Sequence, residues 1–201
     1  MRILLVRHGQ SEWNAEHRLQ GQADIALSEQ GRAQADALRK VIEEINPCRA
    51  ITSDLARVQE TAHRVGAPQA LPDKELREID VGEWTGRRIP DIIAENEEHY
   101  LAWRAGTNTP PGGELWEDFA DRVTQVIHRE AETPCQNLLV ACHGGVIRAI
   151  LQRFLDLQPA SIIPVAPASL TAMRLANGRG KPARLELFNY LPDRLDFEAP
   201  D

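Results

Sequence analysis

Basic residues are the scarcer charge in this chain, and long apolar runs are missing. Across 201 residues, Lys and Arg number 23 against 30 Asp and Glu, a net charge of −7. Nucleic-acid proteins usually carry a basic face, so this balance argues against that class of partner. The longest apolar stretch near the start is Ile3-Leu4-Leu5-Val6, too short for a signal peptide or a membrane span. Cysteine is scarce as well. Cys48, Cys135 and Cys142 are odd in number and show no CxxC spacing, which predicts reduced thiols in a reducing compartment and no structural zinc. A soluble, cytoplasmic protein without membrane partners is the expectation. Neither GxxxxGK[ST] nor GxGxxG occurs after a predicted strand, which removes the common nucleotide-binding loops. No Ser/Gly-rich linker or charge block divides the chain, so one domain over residues 1–201 is expected, with the tail 192–201 loosely ordered.

What is present is an alternation of strand and helix signals. Hydrophobic residues make up 42% and charged residues 26%, an ordinary globular balance. Ile3–Val6 and Leu138–Cys142 are wholly apolar and read as strands buried on both faces, and Ala50–Thr52 as a third. Ser28 caps a predicted helix over 29–45, with Leu38, Val41, Ile42 and Ile45 at helical spacing and Asn46-Pro47 as its stop. Further helices are predicted over 54–65, 89–104, 114–131 and 145–155. Strands are predicted near 168–175 and 183–190, with a weak one at Leu76–Ile79 and a functional loop over 9–27. Strands alternating with helices predict an α/β fold with a mostly parallel sheet.

One internal echo carries chemistry. Leu4-Leu5-Val6-Arg7-His8-Gly9 and Leu139-Val140-Ala141-Cys142-His143-Gly144 are both apolar strands ending in His-Gly. Ligands of open α/β sheets bind outside the carboxyl ends of the strands, so the two histidines are placed to face one pocket. Glycine after each lets a ligand approach the backbone.

These residues sit within a longer pattern. Arg7-His8-Gly9-Gln10-Ser11-Glu12-Trp13-Asn14 resembles the opening signature of the histidine phosphatase (phosphoglycerate mutase-like) superfamily. Leu19-Gln20-Gly21, Ser53-Asp54-Leu55-Ala56-Arg57 with Thr61-Ala62, Leu76-Arg77-Glu78 through Gly86, Gly112-Gly113-Glu114 and Cys142-His143-Gly144-Gly145 resemble its later segments, in order. The resemblance implies a three-layer α/β/α sandwich and a metal-independent phosphomonoester hydrolase with no cofactor. It implies a phosphohistidine on His8, with Glu78 as acid and base and His143 as the third catalytic group. Phosphate contacts would come from Arg7, Arg57, Asn14, Gln20, Gly21 and Gly144. Guanidinium forks match phosphate geometry, and an imidazole nitrogen is a competent nucleophile toward phosphorus. A bound phosphate beside Glu78 favours its protonated form by like-charge repulsion.

The pattern departs from the mutases in the family. Trp103-Arg104-Ala105 has alanine where mutases carry a second arginine, Gly144-Gly145-Val146 stands where they have Gly-Asn-Ser, and Leu115 replaces a family serine. These departures favour hydrolysis of a small phosphorylated metabolite. The alternatives are a cofactor-dependent phosphoglycerate mutase and a catalytically silent phosphate-ester-binding protein. Arg87-Arg88 offers a further anion contact, and a homodimer is compatible with the sequence. His17, His63, His99 and His128 read as surface residues, Cys142 as a buried small hydrophobe, Trp84, Trp103 and Trp116 as core or rim packing, and Arg148 as an exposed helix residue.

Overall fold

The computed structural model describes residues 1–176 and 181–192. Its frame is a six-stranded sheet in the order β3-β2-β4-β1-β5-β6. The strands are β1 (Arg2–Arg7), β2 (Arg49–Ser53), β3 (Leu71–Asp73), β4 (Asn137–Cys142), β5 (Leu170–Arg174) and β6 (Arg184–Tyr190). β1 to β4 run parallel, and the β1–β5 and β5–β6 pairings are antiparallel. The helices are α1 (Glu12–Ala15), α2 (Glu29–Ile45), α3 (Ala56–Arg64), α4 (Ile89–Arg104), α5 (Trp116–Ala131) and α6 (Gly144–Leu155).

The two central strands are apolar on both faces because each face carries a helical layer. Ile3, Leu5, Leu138, Val140 and Cys142 pack with α5, α6 and the aromatic cluster of α4. Leu4, Val6 and Leu139, one residue out of phase, pack with Ala35, Leu38 and Ile42 of α2. This alternation gives the expected three-layer sandwich. Burying each of Leu38 and Ile42 contributes about 1.5–3 kcal/mol. α2 starts where Ser28 Oγ accepts the Gly31 N–H at 3.0 Å and ends where Asn46 turns left-handed at φ 51°.

Three expectations are corrected. Leu76–Ile79 forms no strand: Leu76 is buried at the end of a 3-10 turn, and the edge strand lies earlier, at Leu71–Asp73, beside β2. Leu71 is exposed and Pro72 lacks an N–H, which an edge strand tolerates and which hid the strand from its sequence. α4 is interrupted at Asn96, whose φ of −163° and ψ of 89° leave the helical region. Cys48 and Cys135 are joined in a disulfide with Cα atoms 6.0 Å apart, and only Cys142 is a free, buried thiol among the described residues. That pairing removes the thiol argument for a reducing compartment. Residues 193–201 of the tail expected to be loose lie outside the described residues. No described helix is long and apolar enough to cross a membrane.

Candidate active site

The parallel register of β1 and β4 pairs Arg7 with Cys142, so the residue after each strand emerges at the same edge. Those residues are His8 and His143, whose rings meet edge-to-face with centroids 5.2 Å apart. The loop that carries His8 away from β1 is pinned to the first turn of α2 by two glycines. A Cβ on Gly9 would lie 2.3 Å from the Gly31 carbonyl oxygen, and one on Gly31 would lie 1.9 Å from that of Gln10. Thr61 Oγ1 of α3 accepts the Gly9 N–H at 3.1 Å.

Hydrogen bonding sets the state of both imidazoles. His8 Nδ1 lies 2.7 Å from the Gly9 carbonyl, which can only accept, so the proton sits on Nδ1 and Nε2 keeps its lone pair. His143 Nδ1 faces Arg57 Nη2 at 3.4 Å, a group that only donates, and its Nε2 lies 3.0 Å from Ser53 Oγ. The His143 proton therefore belongs on Nε2, directed at Ser53. Burial, then Arg57 and Arg7, hold His8 well below the usual imidazole range, opposed by the Gly9 bond. Burial, then Arg57, His8 and Arg7, do the same to His143. Both rings are neutral at pH 7.

Arg7 and Arg57 are buried cations with spare donors. Arg7 Nη1 donates to the Val165 carbonyl, and Arg57 donates to the carbonyls of Ala23 at 2.6 Å and Gly21 at 3.0 Å. The Nε of each is buried without a partner. Burial pushes both guanidinium groups down to about 10, with Glu78 opposing, and both remain charged at neutral pH. Two buried guanidinium groups that keep unpartnered N–H donors suit an anionic ligand.

Glu78 stands across from them. Its Oε2 accepts the Gly145 N–H in the first turn of α6 at 3.0 Å, and its Oε1 accepts the Ile79 N–H at 2.9 Å. Arg77 does not compete for it, being engaged bidentately with Asp54 at 2.8 and 2.7 Å. The segment is fixed from behind by Arg122 of α5, which donates to the carbonyls of Glu75, Arg77 and Glu78 and clamps Glu114. Glu114, in turn, accepts the Asp80 N–H at 3.2 Å.

A cleft joins these groups. Arg7, His8, Asn14, Gln20, Gly21, Arg57, Glu78 and Gly144, all expected at the site, border it. Asn14 Oδ1 is spent on the Ser11 N–H and hydroxyl at 3.1 and 3.0 Å, which leaves its amide nitrogen for the cleft. Gly21 adopts φ +49°, turning its carbonyl to Arg57. His143 is fully buried behind this wall and does not itself border the cleft.

Some residues differ from expectation. Arg87 pairs with Glu95, Arg88 is exposed, and neither borders the cleft. Arg148, expected on the surface, is 5% exposed and lines the cleft. Ser53 and Arg122 support His143 and Glu78 without having been singled out. Ser53 lay in a quoted motif, but nothing in the sequence linked Arg122 to the Glu78 segment. His17, His63, His99 and His128 are exposed, as predicted.

With two buried histidines and two buried arginines beside a carboxylate, the chain belongs to the histidine phosphatase superfamily, branch 1, whose model it matches over residues 3–187. It is similar to glucosyl-3-phosphoglycerate phosphatase of Mycobacterium tuberculosis, 36% identical over 211 residues covering 98% of this chain and 90% of the relative. It is also similar to adenosylcobalamin/alpha-ribazole phosphatase of Salmonella typhimurium, 34% identical over 168 residues, with 81% and 83% of the two chains covered. The solved mycobacterial glucosyl-3-phosphoglycerate phosphatase with VO3 superposes at a TM-score of 0.84 and 33% identity, covering 94% of this chain and 98% of that one.

Proposed function

We propose that this chain hydrolyses a small phosphomonoester through a phosphohistidine on His8. The observation that carries the reading is the 2.7 Å contact of His8 Nδ1 with the Gly9 carbonyl, which leaves Nε2 its lone pair, on a cleft bordered by two buried arginines whose Nε atoms have no partner. In the first step Nε2 forms a bond to phosphorus as the ester P–O bond breaks. Protonated Glu78 gives its proton to the departing alkoxide. In the second step water attacks phosphorus, Glu78 takes the water proton, and the P–N bond breaks to release phosphate and neutral His8. Arg7 and Arg57 grip the equatorial oxygens, with Asn14, Gln20 and the backbone at Gly21 and Gly144 supplying neutral contacts. His143, neutral behind the cleft wall, accepts from Arg57 Nη2 at 3.4 Å and positions that guanidinium.

Hydrolysis is favoured over mutase chemistry because Arg87 is engaged with Glu95 and Ala105 stands where mutases carry a second arginine. The relatives' names suggest glucosyl phosphoglycerate and ribazole phosphate as the classes of ester to try first.

The test is phosphate release from a panel of phosphomonoesters in excess EDTA, with His8→Ala alongside. Release that persists in EDTA and vanishes in the variant supports the reading. Loss of activity in EDTA, or release by the variant, overturns it.

A further inference from the structure

The acid of the proposed chemistry sits on a loop. Residues 77–81 lie in neither helix nor strand, so no ladder of backbone bonds fixes where Glu78 stands. A reacting group on a loop is only as well placed as the side chains that hold it. In front, the Glu78 carboxylate accepts the N–H groups of Gly145 and Ile79. Behind, the hold converges on Arg122 of α5. Its Nη1 donates to the carbonyls of Glu75 at 2.7 Å and Arg77 at 3.0 Å, and its Nη2 to that of Glu78 at 3.1 Å. Nε and Nη2 also grip the two carboxylate oxygens of Glu114 at 2.6 and 2.8 Å. Glu114 extends the hold to the far side of Glu78. Its N–H donates to the Asp80 carbonyl at 2.9 Å, and its Oε2 accepts the Asp80 N–H at 3.2 Å.

This is more than a surface ion pair. The Arg122 guanidinium carbon lies 4.9 Å from the centroid of the Phe119 ring, which is fully buried, and the side chains of Arg122 and Glu114 are themselves mostly buried. Arg122 does not border the cleft, so it acts only through what it holds. Phe119 and Val123 of α5 share one core with Val146 and Ile147 of α6, the helix that carries Gly145. Two packed helices therefore grasp opposite ends of Glu78, α5 its backbone and α6 its carboxylate. A planar fork with five N–H donors spans several carbonyls and a carboxylate at once, which an ammonium with three donors at one point cannot.

We infer that Arg122 is a positioning residue of the reaction, fixing the Glu78 backbone from behind so that the carboxyl stays where the leaving group is protonated. This rests on the acid role of Glu78 proposed above, and its test separates the two. Turnover of glycerol 3-phosphate, an alkyl ester, and of para-nitrophenyl phosphate is compared in the wild type, Glu78→Gln, Arg122→Lys and the double variant, with the Kd of inorganic phosphate read by calorimetry. A catalytic group misplaced by about 1 Å loses on the order of 100-fold in rate. Arg122→Lys is expected to lose about 10- to 100-fold in kcat on the alkyl ester and far less on para-nitrophenyl phosphate, with KM and the phosphate Kd unchanged. In the Glu78→Gln background the same substitution should cost nothing further, because two changes that act through one group do not add. A purely structural role lowers both esters together, or adds its full loss in the Glu78→Gln background. Either result overturns the inference, as does an undiminished rate on the alkyl ester. Glu114→Gln, which loosens the grip but keeps Arg122, is expected to show the same pattern in smaller measure and stands in if Arg122→Lys does not fold. Failure of the acid reading shows separately, as equal losses on both esters in Glu78→Gln alone.

Discussion

Replacing Gly145 by alanine isolates the position of one carboxylate. Gly145 sits in the first turn of α6 and donates its N–H to Glu78 Oε2 at 3.0 Å. A Cβ built there lies 2.2 Å from Glu78 Oε1 and 3.0 Å from its Cδ, whereas ordinary contact begins at 3.4 Å. The carboxylate must therefore retreat by about 1.2 Å, and its bond to the Gly145 N–H lengthens or breaks. A displacement of about 1 Å in a catalytic group costs on the order of 100-fold in rate, equivalent to about 2.7 kcal/mol of activation free energy. The fold has little reason to suffer, because the clash is with the mobile end of a side chain and alanine is the better helix former. If Glu78 protonates the leaving group, the loss depends on how much that group needs a proton. An alkyl phosphate is expected to lose about 100-fold in kcat and para-nitrophenyl phosphate less than 10-fold, with the thermal midpoint nearly unchanged. Glu78→Gln should give the same ranking. Equal losses on both esters, or an undiminished rate on the alkyl ester, would refute the acid role and the geometry behind it.

Two further outcomes follow from buried groups away from the reacting atoms or shared with them. His8 and His143 are both held well below the ordinary imidazole range, so the unfolded chain binds protons near pH 6.5 that the native chain refuses. Stability is then full above pH 7 and falls as pH drops below about 6.5, by up to about 1.4 kcal/mol per unit for each histidine. Urea unfolding of the ligand-free enzyme between pH 7.5 and 5.5 checks this, and a flat profile contradicts it; inorganic phosphate should flatten the slope. The Cys48–Cys135 bond spans 87 residues and ties the segments that enter β2 and β4, while the active site lies at the far ends of those strands. Reduction, or Cys48→Ser, is expected to lower stability by up to about 4–5 kcal/mol on the chain-entropy account and to leave kcat within about twofold. A large fall in kcat without a fall in melting temperature would show that the bond acts on the site.

Legibility of this molecule from its sequence followed the strength of local signals. β1 and β4 announced themselves because strands buried on both faces must be continuously apolar, and α2 because Ser28, its spaced aliphatics and Asn46-Pro47 mark both ends and one face. The His-Gly echo placed His8 and His143 at one edge of the sheet because strand ends in a parallel sheet share one side. Edge strand β3 was hidden, since an exposed Leu71 and a proline carry no strand pattern. The disulfide was hidden because pairing depends on where two chain segments meet, 87 residues apart, and not on spacing. Arg148 was misread for a related reason. Helical periodicity places it on α6 but cannot say that Trp116 of α5 and the backbone of α4 close over it. Arg122 was invisible for the same cause, because its acceptors are carbonyls on a separate loop, which any sequence can provide.

The central claim is a covalent bond between His8 and phosphorus. Rapid acid-free quenching during turnover of a phosphomonoester, followed by peptide mass spectrometry, tests it directly. The account predicts one acid-labile phosphoryl group on His8 Nε2, formed and lost at rates consistent with kcat and missing from His8→Ala. Turnover at an undiminished rate in His8→Ala, or a phosphoryl group carried on any other residue, would contradict it.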